Sequence, residues 1–175
     1  MTVAIRLADP ELCAAACAAI YAPFVTDSWV SFELDPPDDA EMTQRIAGNG
    51  ASHAWLVAEV DGAVAGYAYG SPHRSRGAYA SSCDVAVYVD PAHSRQGIGR
   101  ALYAELLPLL ARKGFHAAFA GIALPNDASV GLHHALGFTD VGTYRRVGWK
   151  LGRWHDVLWC QRSLTPDEGP PSEPR

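Results

Sequence analysis

The sequence lacks any long uninterrupted run of apolar residues. A membrane-spanning helix needs about 20 consecutive, predominantly apolar residues, and no window of the chain approaches that length. At its beginning, Met1-Thr2-Val3 leads straight into a strand-like segment without the pattern of a signal peptide. We therefore expect no membrane partner and a cytoplasmic location.

Clusters of basic residues are also missing. The chain has 14 lysines and arginines against 19 aspartates and glutamates, and its formal net charge is −5. Proteins that bind nucleic acid usually concentrate basic residues on one face or along one segment. Because no such run occurs here, nucleic acid is not expected as a partner.

The four cysteines do not have the spacing of a disulfide framework or of a zinc site. Cys13 and Cys17 lie in an alanine-rich segment, whereas Cys83 and Cys160 lie in separate strand-like runs. Structural metal sites and disulfide scaffolds bring cysteine or histidine residues much closer together in sequence. We therefore expect reduced thiols in or near the core, and no metal.

The chain nevertheless contains enough apolar residues for one substantial core. Hydrophobic residues make up 49% of its 175 residues, which is sufficient for a single domain. We assign that domain to residues 1–164. The remaining segment, 165–175, is rich in proline, glutamate and glycine and is expected to be a disordered tail.

Hydrophobic periodicity predicts an alternation of strands and helices. Strands are predicted at 3–7, 53–60, 63–70, 79–89, 116–122, 138–147 and 156–164. Helices are predicted from 9 to about 25, at 40–47, at 97–113 and from 125 to 136. Gly48-Asn49-Gly50 is expected to stop the second helix, and residues 148–155 are expected to connect the last two strands.

A strand, a glycine turn and a helix follow one another in the middle of the chain. This stretch, residues 84–101, reads DVAVYVDPAHSRQGIGRA. A helix that begins at a glycine turn exposes unpaired backbone N–H groups near the positive end of its dipole, and these groups favour phosphate. A dinucleotide-binding βαβ unit is excluded, because no acidic residue follows at the required distance.

Several ordered motifs together resemble the GNAT-type acetyl-CoA-dependent N-acetyltransferases. YVDPAHSRQGIGRAL is followed by GIALPNDASVGLHHALGF, and DVGTYRRVGWKLGRWHDV and IYAPFVTDSWVSFE are similar to the phosphinothricin and methionine-sulfoximine acetyltransferase branch. The resemblance implies an α+β fold with a central, mostly antiparallel splayed sheet of about seven strands flanked by helices. It further implies acetyl-CoA as co-substrate, a small-molecule amine as acceptor, and a homodimer.

The resemblance also assigns residues to acetyl-CoA, which would lie in the splay of the sheet. Val87, Tyr88 and Val89 would offer backbone groups to the pantetheine arm and the thioester carbonyl. The pyrophosphate would be wrapped by the loop Arg95, Gln96, Gly97, Ile98, Gly99 and Arg100. Asn126 and Ser129 would contact the lower pantetheine. Ser94 departs from the Gln or Arg of the family pattern, but phosphate binding depends mainly on the backbone.

Asp84 is the candidate general base. An alkylammonium group must lose a proton before it can attack a thioester, and Asp84 stands where the branch has a glutamate. Aspartate is one methylene shorter, so a water could bridge it to the amine. Its pKa, ordinarily ~3.9, should rise on burial. In the alternative interpretation Asp84 pairs with an arginine or ends a solvent-facing strand.

His133 is the candidate proton donor to the leaving thiolate. It stands in the motif LHHALGF, where related enzymes carry histidine or tyrosine. His134 should lie at the surface, since consecutive residues of a helix point in different directions. The alternative for His133 is a structural or solvated histidine.

The acceptor pocket is expected to combine cations with aromatic residues, because phosphinothricin-like amino acids carry a carboxylate and a second anionic or polar group. Arg74 and Arg76 are candidate carboxylate clamps, and Phe32, Glu33 and Tyr79 are candidates to complete the pocket. Each has the alternative of a loop charge in water or a core aromatic residue.

The charged and aromatic residues near the end of the chain receive other assignments. Arg145, Arg146, Lys150 and Arg153 are expected to form a solvated face. Trp149, Trp154 and Trp159 are expected in the core or at a dimer interface.

Three functions remain open. The first is acetylation of a phosphinothricin, methionine sulfoximine or methionine sulfone type of amino acid. The second is acetylation of another amine, such as a polyamine, an antibiotic or a protein N-terminus. The third is a non-catalytic acyl-CoA-binding module.

Overall fold

The computed structural model describes residues 3–166 and 169–171. Its strands are β1 (Val3–Leu7), β2 (Ala54–Val60), β3 (Ala63–Pro72), β4 (Ser82–Val89), β5 (Ala117–Ala123), β6 (Thr139–Lys150) and β7 (Arg153–Ser163). Its α-helices are α1 (Pro10–Thr26), α2 (Asp39–Ser52), α3 (Ile98–Arg112) and α4 (Asp127–Ala135). Among the described helices, none has the length and apolar character to span a membrane.

The strands form one seven-stranded sheet in the order β1-β2-β3-β4-β5-β7-β6. All neighbouring strands are antiparallel except β4 and β5, which are parallel. These two strands pair only where Ser82, Cys83 and Asp84 face Ala117, Ala118 and Phe119. Beyond Asp84 they diverge. The α+β fold with a mostly antiparallel splayed sheet is therefore confirmed.

Helices on both faces of the sheet close the core. On one face, Leu102, Leu106 and Leu110 of α3 recur with helical spacing and are fully buried against the sheet. On the other face, α1 and α2 enclose a second cluster that includes Trp55 and Tyr67. The four cysteines are free and buried, as expected for core thiols.

The structure corrects two predicted connections. Helix α2 continues past Gly48 and Gly50 to Ser52, because neither glycine has the positive φ that ends a helix and Met42 and Ile46 anchor it in the core. At the C-terminal hairpin, β6 and β7 extend to a two-residue turn, Leu151-Gly152, whose φ angles are 51° and 75°.

The strand predicted at 79–89 is also shorter in the structure. It begins at Ser82, and a 3₁₀ turn, Gly77–Tyr79, precedes it. The preceding strand, β3, continues to Pro72, so the connection to β4 is shifted along the chain to residues 73–81.

The expected disordered tail, 165–175, falls in part outside the described residues, namely at 167, 168 and 172–175. At its described beginning, Thr165 Oγ1 lies 2.9 Å from His116 Nδ1.

Lys150 is buried, which contradicts its assignment to a solvated face. Its side chain lies at the end of β6 and is 6% exposed, whereas Arg145, Arg146 and Arg153 are exposed as expected. The ammonium donates hydrogen bonds to the carbonyl oxygens of Val25, Ser31 and Glu33 at 2.5, 2.7 and 2.8 Å. Lys150 thus joins the C-terminal hairpin to the last turn of α1 and to the segment between α1 and α2, residues 27–38, which we call the α1–α2 loop.

Replacing this ammonium by an apolar group should destabilise the protein. We expect Lys150→Met to lower the free energy of unfolding by about 2–4 kcal/mol, since three carbonyls would lose a charged donor and at least part of their hydrogen bonding. Urea denaturation followed by circular dichroism measures the change. Lys113→Met is the matched control, because Lys113 Nζ makes only a 3.5 Å exposed contact with the Ala51 carbonyl. Equal stability of both variants would contradict the anchoring role.

Candidate active site

Two adjoining clefts occupy the space between the diverging strands. The inner cleft, about 60 Å³, lies between β4 and β5 and reaches α3 and α4. The outer cleft, about 640 Å³, opens beside it under the α1–α2 loop. The two share walls formed by Val30, Val85, Ala86, Tyr88, Gly121 and Ala123. A ligand in the inner cleft can therefore meet a second ligand in the outer one.

Asp84 lies at the point where β4 leaves β5, and it lines the outer cleft. Its side chain is 28% exposed, and its Oδ1 lies 2.5 Å from Nδ1 of His73. Burial raises the pKa of Asp84 above its ordinary value, and the hydrogen bond from His73 opposes part of this rise. Asp84 therefore pairs with a histidine, and not with an arginine as the alternative interpretation proposed.

His73 was not identified as a partner of Asp84 from the sequence. The register of the antiparallel pair β3–β4 sets Ser71 opposite Asp84, and this brings the residue just past the end of β3 alongside the carboxylate. The two residues are eleven positions apart in the chain. From the predicted strand, which began at residue 79, the register between β3 and β4 could not be inferred. Nothing in the sequence of the polar loop therefore indicated that His73 contacts Asp84.

His133 is brought to the inner cleft, but both nitrogens of its ring are bound within the protein. Nδ1 lies 2.8 Å from the Ser129 carbonyl oxygen and Nε2 lies 3.2 Å from Oη of Tyr103. Because a carbonyl only accepts, Nδ1 carries the proton and the neutral ring accepts from the Tyr103 hydroxyl. Burial lowers the pKa of His133, which favours this neutral form. His134 is exposed, as expected, and contacts Asp140.

Tyr103 also lines the inner cleft, although the sequence analysis did not select it. It is fully buried in α3, where its spacing is that of an ordinary core position. Its hydroxyl is visible as a functional group only when α3 and α4 are placed side by side.

Four of the residues expected to contact acetyl-CoA line the inner cleft, namely Val87, Tyr88, Asn126 and Ser129. Asn126 also caps α4, since its Oδ1 accepts a hydrogen bond from the Ser129 N–H at 3.2 Å. Val89 packs partly buried against the core cluster beside α3 and is not among the residues that line this cleft.

The loop from Arg95 to Arg100 leads into α3 with its N-terminal amides free of any side-chain cap. The other three α-helices are capped by Asp9, Asp38 and Asn126. Gly97 has a φ of 82°, and a Cβ there would meet nothing within 4 Å, so the turn is open to solvent and glycine is required by its conformation. An uncapped N-terminus of this kind suits an anionic phosphate group.

Gly99 has a different role from Gly97. A Cβ at this position would lie 3.3 Å from Leu132 and 3.7 Å from Val87. The absence of a side chain therefore permits α3, α4 and β4 to approach one another at the inner cleft.

The α1–α2 loop forms one wall of the outer cleft. The Phe32 ring lies directly on Gly148 of β6, where a Cβ would come within 2.7 Å of three ring atoms. Glu33 accepts hydrogen bonds from Arg45 at 2.7 and 2.8 Å and from the Tyr21 hydroxyl at 2.8 Å. The hydrogen bonds from Arg45 hold the pKa of Glu33 below its usual range, so its negative charge is paired.

The predicted clamps Arg74 and Arg76 do not line the outer cleft. Arg74 lines a separate side pocket of about 280 Å³, and its guanidinium lies 5.6 Å from the centre of the Trp159 ring. Arg76 and Tyr79 lie on the exposed loop and line neither the clefts nor this side pocket. Arg76 and Tyr79 therefore lie away from the two clefts, whereas Arg74 reaches the side pocket that adjoins the outer cleft.

Trp159 forms the wall between the outer cleft and the side pocket. Its ring packs over Gly121 of β5, where a Cβ would lie 3.2 Å from the indole. Trp149 and Trp154 are more than half exposed and contact each other edge to face. Trp159 therefore lies at the site, and Trp149 and Trp154 lie at the surface. None of the three fills the core, which was one of the two expected positions.

Comparison with a family model and comparison with individual proteins indicate the same family. The family model "Acetyltransferase (GNAT) family" matches residues 19–138. A phosphinothricin N-acetyltransferase from Streptomyces viridochromogenes is 42% identical over 162 residues, which cover 93% of this chain and 88% of that protein. An L-methionine sulfoximine/L-methionine sulfone acetyltransferase from Salmonella typhimurium is 41% identical over 115 residues, which cover 66% and 67% of the two chains.

Solved structures agree with this comparison. A GNAT superfamily phosphinothricin acetyltransferase from Sinorhizobium meliloti, in complex with AcCoA, has a TM-score of 0.94 at 34% identity and covers 99% of this chain and 95% of its own. An acetyltransferase from Salmonella typhimurium with acetyl-CoA has a TM-score of 0.93 at 33% identity, covering 97% and 98%. As the resemblance of its motifs predicted, the chain belongs to the acetyltransferase (GNAT) family, in the phosphinothricin and methionine-sulfoximine branch.

Proposed function

We propose that this protein acetylates the amino group of a small amino acid of the phosphinothricin, methionine sulfoximine or methionine sulfone type, with Asp84 as general base in a direct transfer. One observation carries the proposal. Asp84 lines the outer cleft where it joins the inner cleft, and burial raises its pKa. A carboxylate of raised pKa at such a junction suits a base that accepts a proton from an ammonium group.

The residues around the inner cleft fit acetyl-CoA. Its pyrophosphate would be held by the uncapped amides at the start of α3, around Gly97, and its pantetheine arm by the backbone of β4 from Val87 to Val89, with Asn126 and Ser129 opposite. When bound, acetyl-CoA supplies the acetyl group as a reactive thioester.

The amine must lose two protons in the reaction as we write it. Asp84 accepts the first from the ammonium, directly or through a water, and releases it to solvent, which leaves the nitrogen lone pair free to attack. The second leaves the same nitrogen as the new C–N bond forms and the C–S bond breaks, and Asp84, by then deprotonated again, accepts it. The leaving sulfur gains one proton, for which we propose the His133–Tyr103 pair as the source, through the Tyr103 hydroxyl, and the pair regains that proton from solvent.

The charge of the outer cleft suits an acceptor that carries its own carboxylate. Arg45 pairs with Glu33, so this wall presents little negative charge to an anionic ligand. Arg74 lies behind Trp159 in the side pocket, carries no carboxylate partner among the described ion pairs, and is our candidate cation for the carboxylate. A polyamine would instead favour several unpaired acidic groups, and of the two carboxylates that line the cleft, Glu33 is paired with an arginine.

We further propose that the protein works in the cytoplasm, where its four buried thiols stay reduced, and that it forms a homodimer. Support for the dimer comes from the C-terminal hairpin, where Trp149, Leu151 and Trp154 are 58%, 55% and 54% exposed. Sedimentation equilibrium is expected to give twice the mass of 18.7 kDa. A monomer at micromolar concentration would contradict the homodimer.

A panel of acceptors tests the proposed activity. We expect thiol release from acetyl-CoA with phosphinothricin, methionine sulfoximine and methionine sulfone, and little with spermidine, because the cleft is matched to an acceptor that bears a carboxylate. Release is followed with a thiol reagent, and omission of the acceptor is the control. A response to spermidine alone would contradict the assignment to this branch, and no response to any amine would favour an acyl-CoA-binding module.

Removal of the base tests the mechanism. We expect Asp84→Asn to lower kcat about 10²–10⁴-fold, the usual contribution of general base catalysis. Activity of the unmodified enzyme should fall as the pH drops through the raised pKa of Asp84, and this acid limb should disappear in the variant. The KM for acetyl-CoA should change little. An unchanged kcat in Asp84→Asn would contradict the assignment of the base.

A substitution in β6 tests the wall of the outer cleft. Gly148→Ala should displace the Phe32 ring, since a Cβ cannot fit beneath it, and should raise the KM for the acceptor severalfold. Phe32 is 38% exposed and can swing outward, so we expect a loss of stability of only about 1 kcal/mol. Gly48→Ala, in α2 with open space around it and away from the clefts and the side pocket, is the control. Similar KM values for both variants would argue against Phe32 as part of the acceptor site.

A further inference from the structure

His73 is held by aromatic residues on several sides. Its ring stacks on Phe119 with a centroid distance of 4.2 Å and an interplanar angle of 16°, and it meets Trp159 and Tyr79 edge to face at 6.1 and 5.9 Å. Only 11% of its side chain is exposed. The ring therefore has one preferred orientation, set by residues from β5, β7 and its own loop.

This orientation directs Nδ1 of His73 to Asp84. Nδ1 lies 2.5 Å from Oδ1 of the carboxylate, while Asp84 itself lines the outer cleft. A carboxylate has two oxygens, so a bond to Oδ1 leaves Oδ2 to accept a proton. Because aspartate has a short side chain, its reach depends strongly on which rotamer is held.

We propose that His73 is a positioning residue for the general base: by donating Nδ1–H to Oδ1, it fixes Asp84 so that Oδ2 is the oxygen available to the amine. The inference rests on the proposed role of Asp84. It adds a residue to the site, with a function that is separate from packing. A small displacement of a reacting group is sufficient to cost a large part of a catalytic rate.

The pH dependence of this unit involves other groups that face it. Two of these groups, Arg74 and Tyr79, lie on the same loop as His73. Three lie on neighbouring strands, namely Tyr69 on β3, Cys83 on β4 and Tyr144 on β6. Two more, Tyr21 and Glu33, lie across the cleft. Burial raises the pKa of Cys83 to about 12 and that of Tyr21 to about 12, so both stay neutral at ordinary pH. Arginine remains charged throughout.

The sign of the expected pH shift follows from the hydrogen bond. The bond from His73 lowers the pKa of Asp84, whereas burial raises it. If the bond is removed and the burial is kept, the pKa of Asp84 rises further. The acid limb of kcat should then move to higher pH.

Two complementary substitutions separate the bond from the ring. His73→Phe keeps a ring that can stack on Phe119 but removes the donor, and we expect kcat to fall about 10–100-fold with an unchanged KM for acetyl-CoA and an acid limb at higher pH. His73→Asn loses the ring but places an amide N–H near the position of Nδ1, and it should recover most of kcat with a nearly unshifted limb. Asp140→Asn, which breaks the exposed His134–Asp140 pair, should leave kcat and the profile unchanged.

The readouts distinguish this inference from the proposed function. Wild-type kcat and pH profile in His73→Phe would overturn the positioning role. Equal losses in both His73 variants without a shift of the acid limb would also overturn it, because the ring and not the bond would then be what matters. If Asp84→Asn keeps its activity, the proposed base itself is wrong. Thermal unfolding of each variant verifies that it is folded; His73→Leu, which also lacks a donor, replaces His73→Phe if needed, and His73→Gln replaces His73→Asn.

Discussion

The short parallel contact between β4 and β5 is the constraint on which the site depends. Three residue pairs hold the strands together, and the last is Asp84 with Phe119. Beyond that pair the facing backbone groups of β4 lack the neighbouring strand that would satisfy them, although β3 still pairs with β4 as far as Val89. Buried peptide groups require partners. An extended ligand laid along this edge of β4 can supply those hydrogen-bond partners. Because the last pair before the opening contains Asp84, the cleft lies beside an acidic residue.

Most polar groups around the clefts are already bound to other parts of the protein. Arg45 and Tyr21 bind Glu33, Lys150 binds three carbonyls, and Tyr103 and Ser129 bind His133. These contacts rigidify the walls and reduce their net charge. Among the groups that remain for a substrate are the Asp84 carboxylate at the junction and the uncapped amides at the start of α3. The chemistry of the site is therefore set as much by the groups that are already paired as by those that are not.

The sequence was sufficient for the features that depend on local patterns. The start of α1 near residue 9, the short connection between β2 and β3 and the glycine turn at Gly97 were all readable, because each depends on residues that are neighbours in the chain. Family motifs then supplied the mostly antiparallel, splayed sheet, although not the order of its strands. Contacts between distant parts of the chain were not readable. The pairing of His73 with Asp84 depends on strand register, and the burial of Lys150 depends on carbonyls of α1 and the α1–α2 loop that are 117–125 residues away.

The buried ammonium of Lys150 also bears on the chemistry that the protein performs. An enzyme that transfers acetyl groups to amines carries amines of its own, and this chain has a second lysine only at Lys113. All three N–H bonds of Lys150 point to carbonyl oxygens. A nitrogen held in this way has no lone pair to offer while it stays charged, and no path to a thioester while it stays enclosed. Although its ammonium contacts the backbone of residues that line the outer cleft, Lys150 is therefore poorly placed to accept an acetyl group from its own enzyme.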